Sequence, residues 1–124
     1  MIKIDKNNID EFRNYYHEFH DSYFCSFNYD IDCNKIEICF DICWSGEPKL
    51  VDDKYYDTNK TKLKMIFNKI YKLNVKEIYS YLYINNIYFK YIMLDGKEKI
   101  CFADDNVLPS LYIVCEDVEY EIIN

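Results

Sequence analysis

Hydrophobic residues recur at steps of three and four over residues 8–20 and at steps of two from Ser22 onward. Ile9, Phe12, Tyr16 and Phe19 share one helical side at that spacing, which predicts an amphipathic helix over 8–20. Asn8 stands where an N-cap would, and Asp10 and Glu11 fall in the first turn, where the helix dipole favours acids. In the next segment Tyr23, Cys25, Phe27 and Tyr29 alternate with Ser22, Phe24, Ser26 and Asn28. A turn-rich stretch at 30–35 follows. Then Ile36, Ile38, Phe40, Ile42 and Trp44 alternate with Glu37, Cys39, Asp41 and Cys43. Two such runs around a turn predict an antiparallel hairpin with one face on a core.

Residues 45–60 read as a loop, opening with Ser-Gly-Glu-Pro-Lys and closing with Asp-Thr-Asn-Lys. Residues 61–75 fit two descriptions. Leu63, Ile66, Phe67 and Ile70 suit a helix, whereas Leu63, Met65 and Phe67 against Lys62, Lys64 and Ile66 suit a strand. A second hairpin is predicted from Ile87–Leu94 and Lys97–Phe102, because Asp95-Gly96 tolerates the positive φ angles of a tight turn. Leu111 to Val114 predicts a buried strand. Val118, Tyr120 and Ile122, alternating with Glu119, Glu121 and Ile123, predict a separate, half-exposed last strand. The expected fold is α+β: one domain over residues 1–124, mostly antiparallel sheet in a meander or open barrel, with one N-terminal helix packed on it.

Composition narrows the function classes. The 124 residues carry 15 Lys plus Arg, 22 Asp plus Glu and a net charge of −7. That balance disfavours a nucleic-acid partner, whose phosphates demand clustered cations, and suits a protein partner with a basic surface. Charge comes in blocks. Acids dominate residues 5–53, lysines occupy 60–76 without an acid, and acids occupy 104–121 without a base. Such blocks either complement one another within a fold or present one acidic face outward. No apolar run reaches the ~18 residues of a membrane helix and no export signal is visible, so the expected compartment is the cytoplasm, without membrane contact. There the six cysteines are expected to stay as reduced thiols.

Few residue groups suggest chemistry. His17 and His20, three apart on the predicted helix beside Glu18 and Asp21, could offer two imidazoles and a carboxylate to zinc; they equally suit a surface position and a helix end. Cys39 and Cys43 share a strand face about 13 Å apart, too far for a disulfide. There is no CxxC, phosphate-binding loop, GxSxG or HExxH. No catalytic residue, metal or cofactor is therefore assigned. Fourteen Tyr and eight Phe are a large aromatic load. Tyr55, Tyr56, Tyr79, Tyr81, Tyr83 and Tyr88 lie in or beside predicted loops, where they fit either an interface or a coding bias toward AT-rich codons.

The order Phe19-His20-Asp21-Ser22, strand, turn, alternating strand, then Leu63-x-Met65-x-Phe67-x-x-Ile70, then Leu111 to Cys115 and an acidic Val118-Glu-Tyr-Glu121 end, is similar to a broad set of small bacterial proteins. Many of those are immunity-like proteins encoded beside toxins. The resemblance implies a β-rich fold, tips 62–70 toward strand, and supplies no catalytic residues. The expected function is a non-enzymatic inhibitor of a toxin or defence-system enzyme. Asp52, Asp53, Asp104 and Asp105 would steer the encounter, with Trp44, Tyr55 and Tyr56 as anchors. The alternatives are a small metal- or thiol-dependent enzyme using His17 and His20, and a structural subunit that self-associates.

Overall fold

The computed structural model describes residues 1–47, 49–51, 54–56 and 60–123, with 49–51 and 54–56 described by backbone alone. The elements, in chain order, are β1 (Ile2–Ile4), α1 (Ile9–Tyr15), a 3-10 turn (His17–Phe19), β2 (Ser22–Asp30), β3 (Lys35–Ile42), β4 (Lys49–Val51), β5 (Lys54–Tyr56), β6 (Thr61–Val75), β7 (Tyr83–Ile84), β8 (Tyr88–Leu94), β9 (Lys97–Ala103) and β10 (Leu111–Ile123). β4 and β5 pair with each other inside the segment expected to be loop. The other strands form one antiparallel sheet in the order β7-β2-β3-β6-β10-β9-β8, with β1 also on β10.

Two meanders, β2-β3-β6 and β8-β9-β10, therefore meet along the β6–β10 seam. β7 and β8 lie at opposite ends of that order, yet only Asn85, Asn86 and Ile87 separate them. Four residue steps span at most about 14 Å of extended chain, so the two edges must approach. The sheet curls into a half-barrel.

Segment 9–21 fills the concave side and straddles the gap. The expected helical face is the buried one: Ile9, Phe12, Tyr16 and Phe19 are all at most 5% exposed. Phe12 packs edge-on to Phe89, and Phe19 packs on Phe40 at 5.0 Å between ring centres. Polar links tie the segment to both sides of the gap. Arg13 Nη1 donates to the Phe89 carbonyl, Ile87 N–H donates to the Glu18 carbonyl, and His20 Nδ1 donates to the Asn85 carbonyl. Arg13 thereby occupies an acceptor on the β8 edge that another strand could otherwise use.

The helix itself ends at Tyr15, short of the expected residue 20. His17, Glu18 and Phe19 all have positive φ (51°, 54° and 60°), and Asp21 follows at 61°. A left-handed turn without glycine costs about 1–2 kcal/mol per residue, and no local sequence signal announces it. Tertiary contacts hold it: Phe19 is fully buried, and the carbonyl of Glu18 and the ring of His20 are both used across the gap. Asn8 does occupy the N-cap position, but its side chain accepts from Asp5 N–H and donates to the Lys3 carbonyl instead of capping the helix.

The expected hairpins form. Ile36, Ile38, Phe40 and Ile42 are buried along β3, and Asp95 (φ 52°) and Gly96 (φ 74°) make the β8–β9 turn. Residues 61–75 resolve as strand. Two details differ. A bulge between Phe24 and Ser26 shifts the phase of β2, so Phe24 enters the core and Tyr23 faces out. Residues 111–123 form one strand rather than two. The apparent break is a phase slip, with Leu111, Ile113 and Cys115 inward before it and Val118 inward after it, beside a register shift at Val114/Cys115.

The charge blocks partly answer each other. Lys64 faces Glu121 at 3.7 Å and Lys69 faces Glu116 at 3.6 Å across the β6–β10 seam. No disulfide joins any of the six cysteines; Cys101 and Cys115 are buried. No helix among the described residues is long and apolar enough to cross a membrane.

Replacing Phe19 with Ala should lower the unfolding free energy by about 3–5 kcal/mol, as for other buried Phe truncations. Glu18→Gly should instead raise it by about 1 kcal/mol, by relieving one left-handed residue. Urea denaturation of both variants reads the two signs.

Candidate functional site: a tyrosine-rimmed cleft

The bulge in β2 and the crossing of residues 81–84 build a tyrosine-rimmed cleft. Tyr81 N–H donates to the Phe24 carbonyl and Phe24 N–H donates to the Leu82 carbonyl, which lays this segment along β2. Tyr23 pairs in register with Tyr83. The Tyr23 ring then lies 5.8 Å from Tyr83 and 6.5 Å from Tyr81, centre to centre. These three rings are 39%, 46% and 68% exposed, unlike the core aromatics. Beside them opens a cleft of about 510 Å³, lined among others by Tyr23, Tyr81, Asp21, Asp41, Ile42 and Cys43, with Lys60 and Lys62 at its side.

Asp21 organises the rim. Its two carboxylate oxygens accept from Tyr83 Oη at 2.6 Å and from Trp44 Nε1 at 3.2 Å. The Tyr83 hydrogen bond, then that of Trp44, hold its carboxyl below the ordinary aspartate range, and the same contact pushes the Tyr83 phenol up. The Cys25 thiol lies beside the Asp41 carboxylate. Burial first, and Asp41 second, push that thiol up to about 11, so it is a poor nucleophile at neutral pH.

The expected anchors and steering acids are dispersed. Trp44 is half-buried and joins the rim through Asp21. Asp52 and Asp53 lie outside the described residues. Tyr55 and Tyr56 lie on β5, and their side chains are likewise outside the description. Asp104 is corrected: it is 6% exposed and accepts from Ser110 N–H (2.8 Å) and Leu111 N–H (2.9 Å), so it pins the 104–110 loop. Asp105 accepts from Val107 N–H in the same loop. Neither belongs to the cleft. Tyr23 and Asp21 were not among the expected partner-binding residues; only the bulge and the left-handed Asp21 bring them together. Tyr81 and Tyr83 were visible as loop tyrosines.

The histidines do not share a helical side, because the helix has ended before them. His17 Nε2 donates to the Gly46 carbonyl, whereas His20 Nδ1 donates to Asn85 and its Nε2 lies 3.5 Å from Asp21. Among the described residues no group of three His, Cys, Asp or Glu side chains is arranged to hold a metal ion. The cleft offers flat aromatic area, phenol groups and mixed charge, which are the means of surface recognition.

The chain matches no model of a known protein family, and no curated protein is detectably similar to it in sequence.

Asp104 gives a test of the loop assignment. Burial raises its carboxyl against the lowering effect of its backbone donors. Its contribution to stability is thus full below the unfolded-state pKa and is lost as pH rises through the folded one. Asp104→Ala should cost about 2 kcal/mol by orphaning two N–H groups. Asp104→Asn keeps an acceptor and should abolish that pH dependence. Denaturant titrations from about pH 3, below the unfolded-state aspartate pKa, up to neutral read both.

Proposed function

We propose that the protein is a non-enzymatic, acidic binding protein that neutralises a protein partner by covering it, in the manner of an immunity protein or a phage-encoded inhibitor. The observation that carries this reading is the Tyr23–Tyr81–Tyr83 cluster on the rim of the cleft. Buried tyrosine contacts give large area at low entropy cost, and exposed clusters of this kind on a folded domain mark interaction surfaces. Asp21 and Trp44 stiffen that rim, so little order is lost when a partner closes over it.

The partner is a protein with a basic surface, such as a toxin or a defence-system enzyme. The net charge of −7 raises its encounter rate and makes that rate salt-dependent. Steering belongs to the overall acidic field, since Asp104 is enclosed in its own loop. Affinity belongs to the tyrosines.

Capture from the native host, followed by titration of the purified partner's own activity, tests this. Activity should fall to zero at one equivalent of wild type. The double variant Tyr23→Ala/Tyr81→Ala should weaken inhibition about 30-fold or more, the scale of losing interface hot spots. Unchanged partner activity at saturation, or a double variant as potent as wild type, would overturn the reading.

A further inference from the structure

The concave face of the half-barrel is not covered along its whole length. On β10 the inward row runs Val118, Tyr120, Ile122, and on β1 it runs Ile4, Ile2, with Ile4 opposite Val118 and Ile2 opposite Tyr120. Helix α1 covers the first members, so Ile4 and Val118 are at most 1% exposed. It does not reach the last ones. Ile2 and Ile122 are each 54% exposed, although they continue a core row. The result is a groove of about 520 Å³ between α1 and the β1–β10 end, floored by Phe12, Tyr16 and Tyr120.

Two further observations say what suits it. Tyr16 is 4% exposed and lines the groove, its ring 6.4 Å from that of Tyr120. Burial pushes that phenol up to about 12, so it stays a neutral donor and acceptor. The charged groups lining the groove among the described residues are Glu11, Glu121 and the Met1 α-ammonium, and no Lys or Arg side chain joins them. Glu121 is shared with Lys64 on the outer face, while Glu11 is exposed and close enough to bear on the Tyr120 phenol. Apolar walls, phenol rings and a carboxylate rim favour a cation carried on an apolar stem, by ion pairing and by cation–π attraction.

We propose that this open end of the half-barrel docks a short segment of the protein partner in which Lys or Arg alternates with apolar side chains. The apolar residues continue the Ile2–Ile122 row and the cation meets Glu11. The proposal rests on the reading of the protein as a partner-neutralising binder. It adds the chemistry of the bound segment and a second surface. Ile123 lines the tyrosine-rimmed cleft and Ile122 lines this groove, so one partner can engage both sides of the β10 end.

The test uses fluorescein-labelled peptides of alternating Leu and Lys, or Leu and Glu, with blocked termini, read by polarisation against the full chain. The Lys peptide should bind and the Glu peptide should not. Glu11→Lys and Ile122→Ser should each weaken the Lys peptide about tenfold, a loss of one good contact. Asp32→Lys makes the same charge change in the β2–β3 turn, away from the groove, and should leave binding within about twofold of wild type, as an exposed charge far from the contact does. Circular dichroism confirms that each variant is folded. Equal weakening by Asp32→Lys, or none by Glu11→Lys and Ile122→Ser, overturns the groove. Partner inhibition separates the two ideas. If Glu11→Lys and Ile122→Ser inhibit as wild type while Tyr23→Ala/Tyr81→Ala does not, the groove falls and the neutralising function stands.

Discussion

The architecture depends on one constraint: the two edges of a curled sheet must come within a few residues of each other, and something must fill the space they enclose. Three residues join β7 to β8, so closure is imposed covalently. Segment 9–21 meets the second demand. Its aromatic side chains complete a continuous ring-on-ring core from Tyr120 through Phe12 and Phe19 to Phe40 and Phe102. Its backbone and polar groups use the orphan acceptors and donors at the gap. The left-handed turn at 17–19 is the strained piece that makes both possible, turning Phe19 inward while Glu18 and His20 reach across. Strain of this kind persists only where the surroundings over-determine it.

Function, as proposed, follows from where that filling stops. The segment is too short to cover the full concave face, so an apolar row emerges at the Ile2–Ile122 end. At the same end the β2 bulge turns Tyr23 outward, next to the two tyrosines of the crossing segment. Sheet irregularities commonly re-aim side chains in this way. Here the bulge lies after Phe24, so Phe24 is core and Tyr23 exposed, in the opposite phase to Phe27 and Tyr29 beyond it. The surface proposed to bind a partner is a by-product of how the core is closed.

Much of the fold was legible in the chain. Strict alternation over 36–42 and the Asp95-Gly96 turn specify their hairpins, because both depend on local backbone geometry. The buried face of residues 9–19 was legible although the helix ended early, since Phe19 reaches the same core by a different backbone path. What was illegible depends on distant residues. Nothing near Glu18 signals a left-handed turn, nothing near Cys25 signals a bulge, and the short β1 and β7 exist through their partners alone. The site was harder for the same reason. Asp104 and Asp105 look like a surface acid pair, yet one of them is needed indoors by its own loop. The loop tyrosines at 81 and 83 were visible, but their meeting with Tyr23 and Asp21 required the crossing of β2.

The central claim is that the molecule works as a shaped surface concentrated at one end of its half-barrel. Amide hydrogen exchange, with and without the captured partner, tests it most directly. The account predicts new protection confined to residues 15–16, 42–46, 60–62, 81–83 and 119–123, with the opposite end unchanged. Protection centred instead on the 30–35 turn and the 104–110 loop would contradict it.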